Sequence, residues 1–222
     1  MVKNLDVSVV VPVYNNECTL NDLTKRICYT LKGYKSEIIY INDSSIDQSL
    51  TILKTLEFQN NNVKIINLEK NLGQQVATLQ GLLQAKGSYV IVMDADLQDD
   101  PKLILALIDM NEKTGDAVFI KRIGKYQKSL RMLTSYLLKT IVKGLIGLDQ
   151  KAGSYYLLDQ TILKDIKRIA VIVTQPYMSI LVAFCANEIK YLPARRSKCS
   201  TPSGFTFRKR ILAGVSAIKC CI

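Results

Sequence analysis

Short apolar, β-branched runs alternate with helix-forming segments through the first 120 residues. Runs such as 7–13 and 63–67 have the length and composition of buried strands. Each is followed by a segment with apolar residues at helical spacing. Repeated strand–helix units require a mainly parallel sheet, because every connection crosses over the sheet and covers it with a helix. The sequence therefore predicts an α/β, Rossmann-like fold with helices on both faces of a mainly parallel sheet.

The pattern gives explicit bounds for the predicted elements. The predicted strands are 7–13, 37–41, 63–67, 89–93, 117–120, 155–158 and 188–192. The predicted helices are 19–31, one from Ser44 or Ser45 to 58, 74–85 closed by Gly87, 101–113, an amphipathic helix at 130–148 and a buried helix at 169–186.

Polar residues follow four of the predicted strands, at the point where each strand ends. The segments are 14–17, 42–47, 71–75 and 94–98. Because the carboxyl ends of parallel strands meet at one edge of a sheet, we expect these groups to converge there, where open α/β sheets bind ligands. Four such segments in succession are not accounted for by turns and helix caps.

Asp94 and Asp96 form the most informative of these segments. Residues two apart on an extended chain point the same way, so both carboxylates can face one hard cation such as Mg²⁺ or Mn²⁺. The alternative is a solvated acidic loop before the helix that begins near Pro101. The chain lacks the usual glycine-rich phosphate-binding fingerprints, and a diphosphate bound without them needs a cation.

Charge is unevenly distributed along the chain. Residues 1–118 contain 11 Lys/Arg and 15 Asp/Glu, whereas residues 119–222 contain 19 and 4. This excess of positive charge predicts an anionic partner, such as a phosphate-bearing substrate or an anionic membrane surface, with a solvated basic surface as the alternative. Nucleic acid is not favoured, because the basic residues do not alternate with stacking aromatic side chains.

The cysteine pattern and the N-terminus bear on the location. Six cysteines and no histidine form neither a zinc-ligand pattern nor a disulfide framework. The first strand begins so close to Met1 that no signal peptide fits before it, and no apolar stretch predicts a complete transmembrane helix. We expect a reducing, cytosolic environment.

Four segments together resemble the family 2 glycosyltransferases of GT-A fold. They read VVPVYNNE at 10–17, INDSSID at 41–47, NLGQQVATLQGLLQAKG at 71–87 and MDADLQDDP at 93–101. Leu-Gln after the second Asp is typical of the branch that uses polyprenyl phosphates, the dolichyl-phosphate mannosyltransferase and bactoprenol glucosyltransferase type. The resemblance extends over about residues 5–210.

This resemblance implies a division of the chain. Residues 1–192 are expected to form the catalytic domain, with a nucleotide-sugar-binding half at 1–118 and an acceptor half at 119–192. Residues 193–222 are expected to form a basic, juxtamembrane-like tail.

The resemblance also implies roles on the donor side. The residues expected to bind the base and ribose of a UDP- or GDP-linked sugar are Pro12, Tyr14, Glu17 and Asp43. Asp94 is expected to contact the ribose or sugar-phosphate side and to share in metal binding. Asp96 is expected to hold Mg²⁺ or Mn²⁺ on the diphosphate, which makes it catalytic, and Gln98 is expected beside it.

On the acceptor side the chain departs from the family. Relatives often have an acidic residue where this chain has Ser154, and Asp149 is the substitute candidate for a catalytic base, with a turn carboxylate as the alternative. Cations expected to hold the acceptor phosphate and lipid headgroups are Lys121, Arg122, Lys125, Lys128 and Arg131. Arg195 and Arg196 match a basic segment that relatives place near the phosphates.

The implied reaction is inverting transfer of one sugar from a nucleotide-diphosphate sugar to a polyprenyl phosphate at the cytosolic face of a membrane. An acceptor phosphate is already ionised at neutral pH, so a strong base is not required. Two alternatives stay open: transfer to a sugar hydroxyl of a lipid-linked glycan, which needs a base, and a non-catalytic membrane-binding relative. Relatives associate, which leaves a homo-oligomer open as well.

Overall fold

The computed structural model of the protein describes residues 6–123, 148–149, 151–171 and 176–197. The strands within these ranges are β1 (Val7–Val13), β2 (Ser36–Asn42), β3 (Val63–Asn67), β4 (Tyr89–Val92), β5 (Ala117–Arg122), β6 (Ala152–Asp159) and β7 (Ile189–Ala194). The helices are α1 (Leu20–Thr30), α2 (Ser49–Gln59), α3 (Gln74–Gln84), α4 (Leu103–Thr114), α5 (Gln160–Ile169) and α6 (Met178–Cys185).

The strands form one sheet in the order β3-β2-β1-β4-β6-β5-β7. Strand β6 runs antiparallel to both of its neighbours, while the other pairings are parallel. The prediction of a mainly parallel sheet is confirmed. The reversal of β6 has a consequence for the site, because it brings the first residues of β6 to the edge where β4 and β5 end.

The sheet separates two hydrophobic cores. Val9 of β1 belongs to the core that contains Leu23 of α1 and Leu107 of α4. Its neighbour Val10 belongs to the other core, with Leu82 of α3 and helices α5 and α6. Successive side chains of a strand point to opposite faces, so both faces of β1 are apolar and both are covered by helices. The prediction of helices on both faces is confirmed.

The helix after β2 begins later than predicted, at Ser49 rather than at Ser44 or Ser45. Ser44 has a left-handed backbone, with φ of 57°. The Ser45 hydroxyl accepts a hydrogen bond from Asn15 N instead of capping a helix, and Asp47 accepts from Ser49 N. Contacts with the loop after β1 therefore displace the helix start, which a local capping pattern does not reveal.

The single helix predicted at 169–186 is also wrong. Helix α5 ends at Ile169 and α6 begins at Met178. Pro176 lies between them and has no N–H to continue a helix. The amphipathic helix predicted at 130–148 lies outside the described residues except for Leu148, which is buried and not helical. The boundary predicted after residue 192 falls within β7, and residues 198–222 lie outside the described part.

Gly87 does not close α3, which ends at Gln84. It provides space for β1 instead, because a Cβ on Gly87 would lie 2.4 Å from Ser8 N. The Gly87 N–H donates to the Ser8 hydroxyl at 2.8 Å.

Glu37 is a buried carboxylate at the start of β2, at the opposite end of the strand from Asp43. It accepts hydrogen bonds from the Ser8 hydroxyl and Lys64 Nζ, both at 2.6 Å, and from Lys86 N at 3.0 Å. Burial alone would raise its pKa, but these donors hold the pKa of Glu37 below its usual value. The ionised carboxylate therefore stabilises the fold.

We expect Glu37→Gln to lower the free energy of unfolding by about 1–3 kcal/mol at pH 7, because the buried donors lose a charged acceptor. The lowered pKa makes this stabilisation fully present above about pH 4.3, the usual pKa of Glu, and lost as the pH falls through the folded-state pKa. Urea unfolding across this pH range measures the difference. Exposed Glu69 provides the control Glu69→Gln, and a difference independent of pH would contradict the assignment.

Candidate active site

The predicted polar segments meet at one edge of the sheet. The carboxyl ends of β1, β2 and β4 lie side by side, and so do those of β5 and β7. The antiparallel β6 begins at this edge, next to the ends of β4 and β5. The chain leaves β1 toward β2 and returns to its other side at β4, and such a reversal of strand order is where α/β sheets bind ligands.

Asp94, which follows β4, is held from several elements at once. Its Oδ1 accepts a hydrogen bond from Gln74 Nε2 of α3 at 2.6 Å. Its Oδ2 accepts from the Ser154 hydroxyl of β6 at 2.5 Å and from Arg196 Nη2 at 2.9 Å. Arg122 Nη2 lies 3.7 Å from the same oxygen. Both oxygens of this carboxylate are thus engaged by protein groups.

Asp99 is the most buried carboxylate of the cluster, with 3% of its surface exposed. Arg196 binds it in a bidentate manner, with Nε at 3.0 Å from both oxygens and Nη2 at 2.6 Å from Oδ2. Although burial opposes the charge of Arg196, its hydrogen bonds to Asp99 and the charges of Asp99 and Asp94 raise its pKa above the usual value. Ser197 N donates to Gln98 O at 2.9 Å, which ties the segment after β7 to the same loop.

Asp96 differs from its two neighbours. Its Oδ1 accepts a hydrogen bond from Gln98 N at 3.0 Å, but no lysine or arginine nitrogen of the described residues lies within 4 Å of it. Burial raises the pKa of Asp96, and the carboxylates of Asp94 and Asp99 raise it further against the Gln98 hydrogen bond and the charge of Arg196. A cation at this carboxylate would relieve that electrostatic cost.

The donor set fits a divalent ion of the Mg²⁺ or Mn²⁺ kind. In the part of the chain that the structure describes, no three His, Cys, Asp or Glu side chains are grouped as metal ligands. Mg²⁺ is commonly bound through one or two carboxylates together with substrate phosphates, rather than by a complete protein cage. Asp96 suits this arrangement better than Asp94, whose oxygens already accept three hydrogen bonds.

The residues predicted to bind base and ribose lie at the ends of β1 and β2. Pro12 is buried within β1, opposite Ile41, and Tyr14 follows the strand with 42% of its surface exposed. Glu17 accepts a hydrogen bond from Gln48 N at 2.8 Å, which links the loop after β1 to the loop after β2. A role for these residues in binding stays a prediction.

Asp43 is buried and organises the third polar segment. Its Oδ1 accepts from Leu72 N at 2.7 Å and its Oδ2 from Gly73 N at 2.9 Å. Asn71 Nδ2 donates to the Asp43 carbonyl at 3.2 Å. Asp43 therefore fixes the chain that enters α3, in addition to any contact it makes with a ligand.

Asp149 lies against a lysine. Its Oδ2 is 2.7 Å from Lys121 Nζ, and its backbone N–H donates to the Tyr191 hydroxyl at 2.8 Å. Lys121 Nζ also lies 5.7 Å from the centre of the Tyr191 ring. Asp149 Oδ1 also accepts a hydrogen bond from Lys151 N at 2.8 Å. The role of Asp149 as a catalytic base stays a prediction, with a turn carboxylate as the alternative.

Arg122 points toward the carboxylates. Its Nη2 lies 3.8 Å from Asp99 Oδ2 and donates to the Ser154 hydroxyl at 3.5 Å. Gly153 makes this placement feasible, because a Cβ there would lie 2.7 Å from Arg122 Nε. Arg195 is exposed and precedes Arg196 in the chain. Lys125, Lys128 and Arg131, also predicted to bind the acceptor, lie outside the described residues.

Sequence reasoning did not select two residues that the structure places in the cluster, Gln74 and Asp99. Both occur in segments that the motif pattern identified, 71–75 and 93–101. Asp99 could have been predicted from the four carboxylates at 94–100, because buried members of such a group must be neutralised by cations from other parts of the chain. No local signal distinguishes Gln74 from Gln75, whose side chain accepts a hydrogen bond from Met178 N.

A mainly parallel sheet with carboxylates and arginines at the reversal of its strand order belongs to the class of open α/β domains, which bind their ligands at that edge. Residues 8–167 match the model of glycosyl transferase family 2, and the chain belongs to this family. The resemblance read from the sequence is confirmed.

Relatives of the chain include glycosyltransferases of bacteria. It is 30% identical over 174 residues to the uncharacterized glycosyltransferase YkcC of Bacillus subtilis, covering 76% of this chain and 54% of the relative. It is 34% identical over 152 residues to the undecaprenyl-phosphate 4-deoxy-4-formamido-L-arabinose transferase of Proteus mirabilis, covering 67% and 46%. The chain thus spans about half the length of these curated relatives.

The fold is shared with solved glycosyltransferase structures. Glucosyl-3-phosphoglycerate synthase of Mycobacterium tuberculosis, in complex with Mn²⁺, UDP-glucose and phosphoglyceric acid, superposes with a TM-score of 0.66 at 16% identity, covering 97% of this chain and 79% of the other. The GT-A fold is therefore confirmed. Among the described helices, none has both the length and the apolar character needed to cross a membrane.

Proposed function

We propose that this protein transfers one sugar from a nucleoside diphosphate sugar to a polyprenyl phosphate at the cytosolic face of a membrane. The observation that carries the proposal is the pairing of Asp94 and Asp99 with Arg122 and Arg196, with Asp96 in the same loop. It combines acidic groups for a cation with guanidinium groups for phosphates at one strand edge. Relatives that act on undecaprenyl phosphate support the choice of acceptor.

On the donor side, Tyr14, Glu17 and Asp43, at the ends of β1 and β2, would bind the nucleoside. Asp96 would hold Mg²⁺ or Mn²⁺ at the diphosphate. The ion would neutralise charge on the leaving diphosphate. The described contacts of Arg196 use Nε and Nη2, so its Nη1 is available to a phosphate oxygen.

On the acceptor side the described groups suit an anion. Ser154, a neutral residue, lies beside Asp94 and Arg122, and Asp149 is paired with Lys121. An oxygen of the acceptor phosphate attacks the anomeric carbon as the bond from that carbon to the donor diphosphate breaks. No proton has to be removed from an ionised phosphate, and attack opposite the leaving group inverts the anomeric centre.

The proposal is tested by incubating the purified protein with Mn²⁺, labelled UDP- and GDP-sugars and a polyprenyl phosphate in vesicles that contain anionic lipid. We expect label in the lipid phase with one donor, and an anomeric configuration opposite to that of the donor. A parallel assay offers a lipid-linked glycan with free hydroxyls. Transfer to the glycan alone would replace the proposed acceptor, and no transfer from any donor would overturn the proposal.

A further inference from the structure

The segment 72–74 is hydrogen-bonded both to Asp43, which follows β2, and to Asp94, which follows β4. Asp43, at the end of β2, accepts hydrogen bonds from the backbone N–H groups of Leu72 and Gly73 at 2.7 and 2.9 Å. Gly73 has φ of 88°, in the left-handed region that favours glycine, and the chain enters α3 immediately after it. The first residue of α3 is therefore fixed in position by a buried carboxylate.

That first residue is Gln74, and its side chain reaches the other end of the site. Gln74 Nε2 donates to Asp94 Oδ1 at 2.6 Å, while Ser154 and Arg196 hold Asp94 Oδ2. The carboxylate plane of Asp94 is thus fixed from both sides. A neutral amide does this without adding a positive charge that would compete with Arg196 for phosphate.

We propose that Gln74 is a positioning residue that couples the nucleoside end of the site, at Asp43, to its phosphate end, at Asp94. This inference rests on the proposed function. Loss of the Gln74 side chain frees Asp94 Oδ1, so that the carboxylate can rotate. Arg196 then keeps Asp99 but loses Asp94 as its second fixed partner. The effect falls on the diphosphate and leaves the nucleoside contacts in place.

The experiment measures, by calorimetry in the presence of Mn²⁺, how tightly the monophosphate and the diphosphate of one nucleoside bind. Titration of the wild-type protein first establishes whether uridine or guanosine nucleotides bind. The affinities for the monophosphate and the diphosphate of that nucleoside are then measured for the variants. We expect Gln74→Ala to weaken diphosphate binding by about tenfold, the scale of one hydrogen bond to a charged group, and to leave monophosphate binding unchanged. Gln84→Ala, at an exposed glutamine of the same helix, is the matched control and is expected to change neither.

Gln74→Asn provides a second variant. It keeps the amide, but its side chain is one methylene shorter and does not reach Asp94. We expect it to behave like Gln74→Ala, so the inference stays testable when one variant folds poorly. Equal losses for both ligands, or no loss for either, would overturn the positioning role while the proposed function stands. Failure of the wild-type protein to bind any nucleotide would overturn the proposed function, and this inference with it.

Discussion

Asp96→Asn is expected to abolish sugar transfer and, at the same time, to make the metal-free protein more resistant to heat. The two effects share one cause. Burial and the carboxylates of Asp94 and Asp99 raise the pKa of Asp96, so the ionised form costs free energy in the folded state. A cation bound at Asp96 would offset that cost, which favours cation binding. The neutral amide of Asp96→Asn has neither the cost nor the affinity for a cation.

The sign of the pH effect follows from the raised pKa. The folded state takes up a proton at Asp96 more readily than the unfolded state does. The destabilisation by Asp96 is therefore absent below about pH 3.9, the usual pKa of Asp, grows as the pH rises from there, and is complete above the folded-state pKa. The stabilisation by Asp96→Asn is therefore expected at pH 7 and absent in acid. An increase of 1 kcal/mol corresponds to roughly 2–4 °C in Tm for a chain of this size.

Calorimetric melting of the two proteins with and without Mn²⁺ and nucleotide measures this prediction. We expect Mn²⁺ and nucleotide together to raise the Tm of the wild-type protein by more than that of Asp96→Asn, and Mn²⁺ alone to leave the Tm of the variant unchanged. Asp109→Asn is the control, because Asp109 is an exposed partner of Lys113 on α4 and such pairs contribute little. A variant that melts below the wild type, or that still transfers sugar, would exclude Asp96 as the cation ligand.

Arg196→Gln is expected to produce the opposite pattern, with losses of both stability and transfer. Arg196 neutralises Asp99, which is buried, and also contacts Asp94. Removing one member of a buried ion pair typically costs about 3–5 kcal/mol, because the other charge remains without its partner. Among the described residues, the other guanidinium within 4 Å of Asp99 is that of Arg122, at 3.8 Å, and it does not replace the bidentate contact.

Urea unfolding of three variants and the wild-type protein tests the contribution of the Arg196–Asp99 ion pair to stability. We expect a large loss for Arg196→Gln, a small one for Arg195→Gln at the exposed neighbouring position, and partial recovery when Arg196→Gln is combined with Asp99→Asn. The recovery concerns stability alone, since the phosphate-binding guanidinium stays absent. Equal unfolding free energies for Arg195→Gln and Arg196→Gln would contradict a structural role of the ion pair.

Most of the sheet could be predicted from the sequence, because strand formation depends on local apolar runs. The predicted bounds of β1 and β3 agree with the structure. The predicted start of helix α2 is too early because the Ser45 hydroxyl accepts a hydrogen bond from Asn15 N, 30 positions away in the chain, and does not cap the helix. The helix predicted at 169–186 was wrong because uniformly apolar segments carry no periodic signal that separates one helix from two.

Spacing along the chain is enough to predict the class of fold, the order of the polar strand ends and the presence of Asp94 and Asp96 at one of them. The difference between the carboxylates depends on contacts between elements that are distant in the chain. Asp94 is held by Gln74, Ser154 and Arg196, while Asp96 has no described basic partner within 4 Å. The physical reason is that these partners come from α3, β6 and the segment after β7, and hydrogen bonds of under 3 Å depend on how those elements pack around β4.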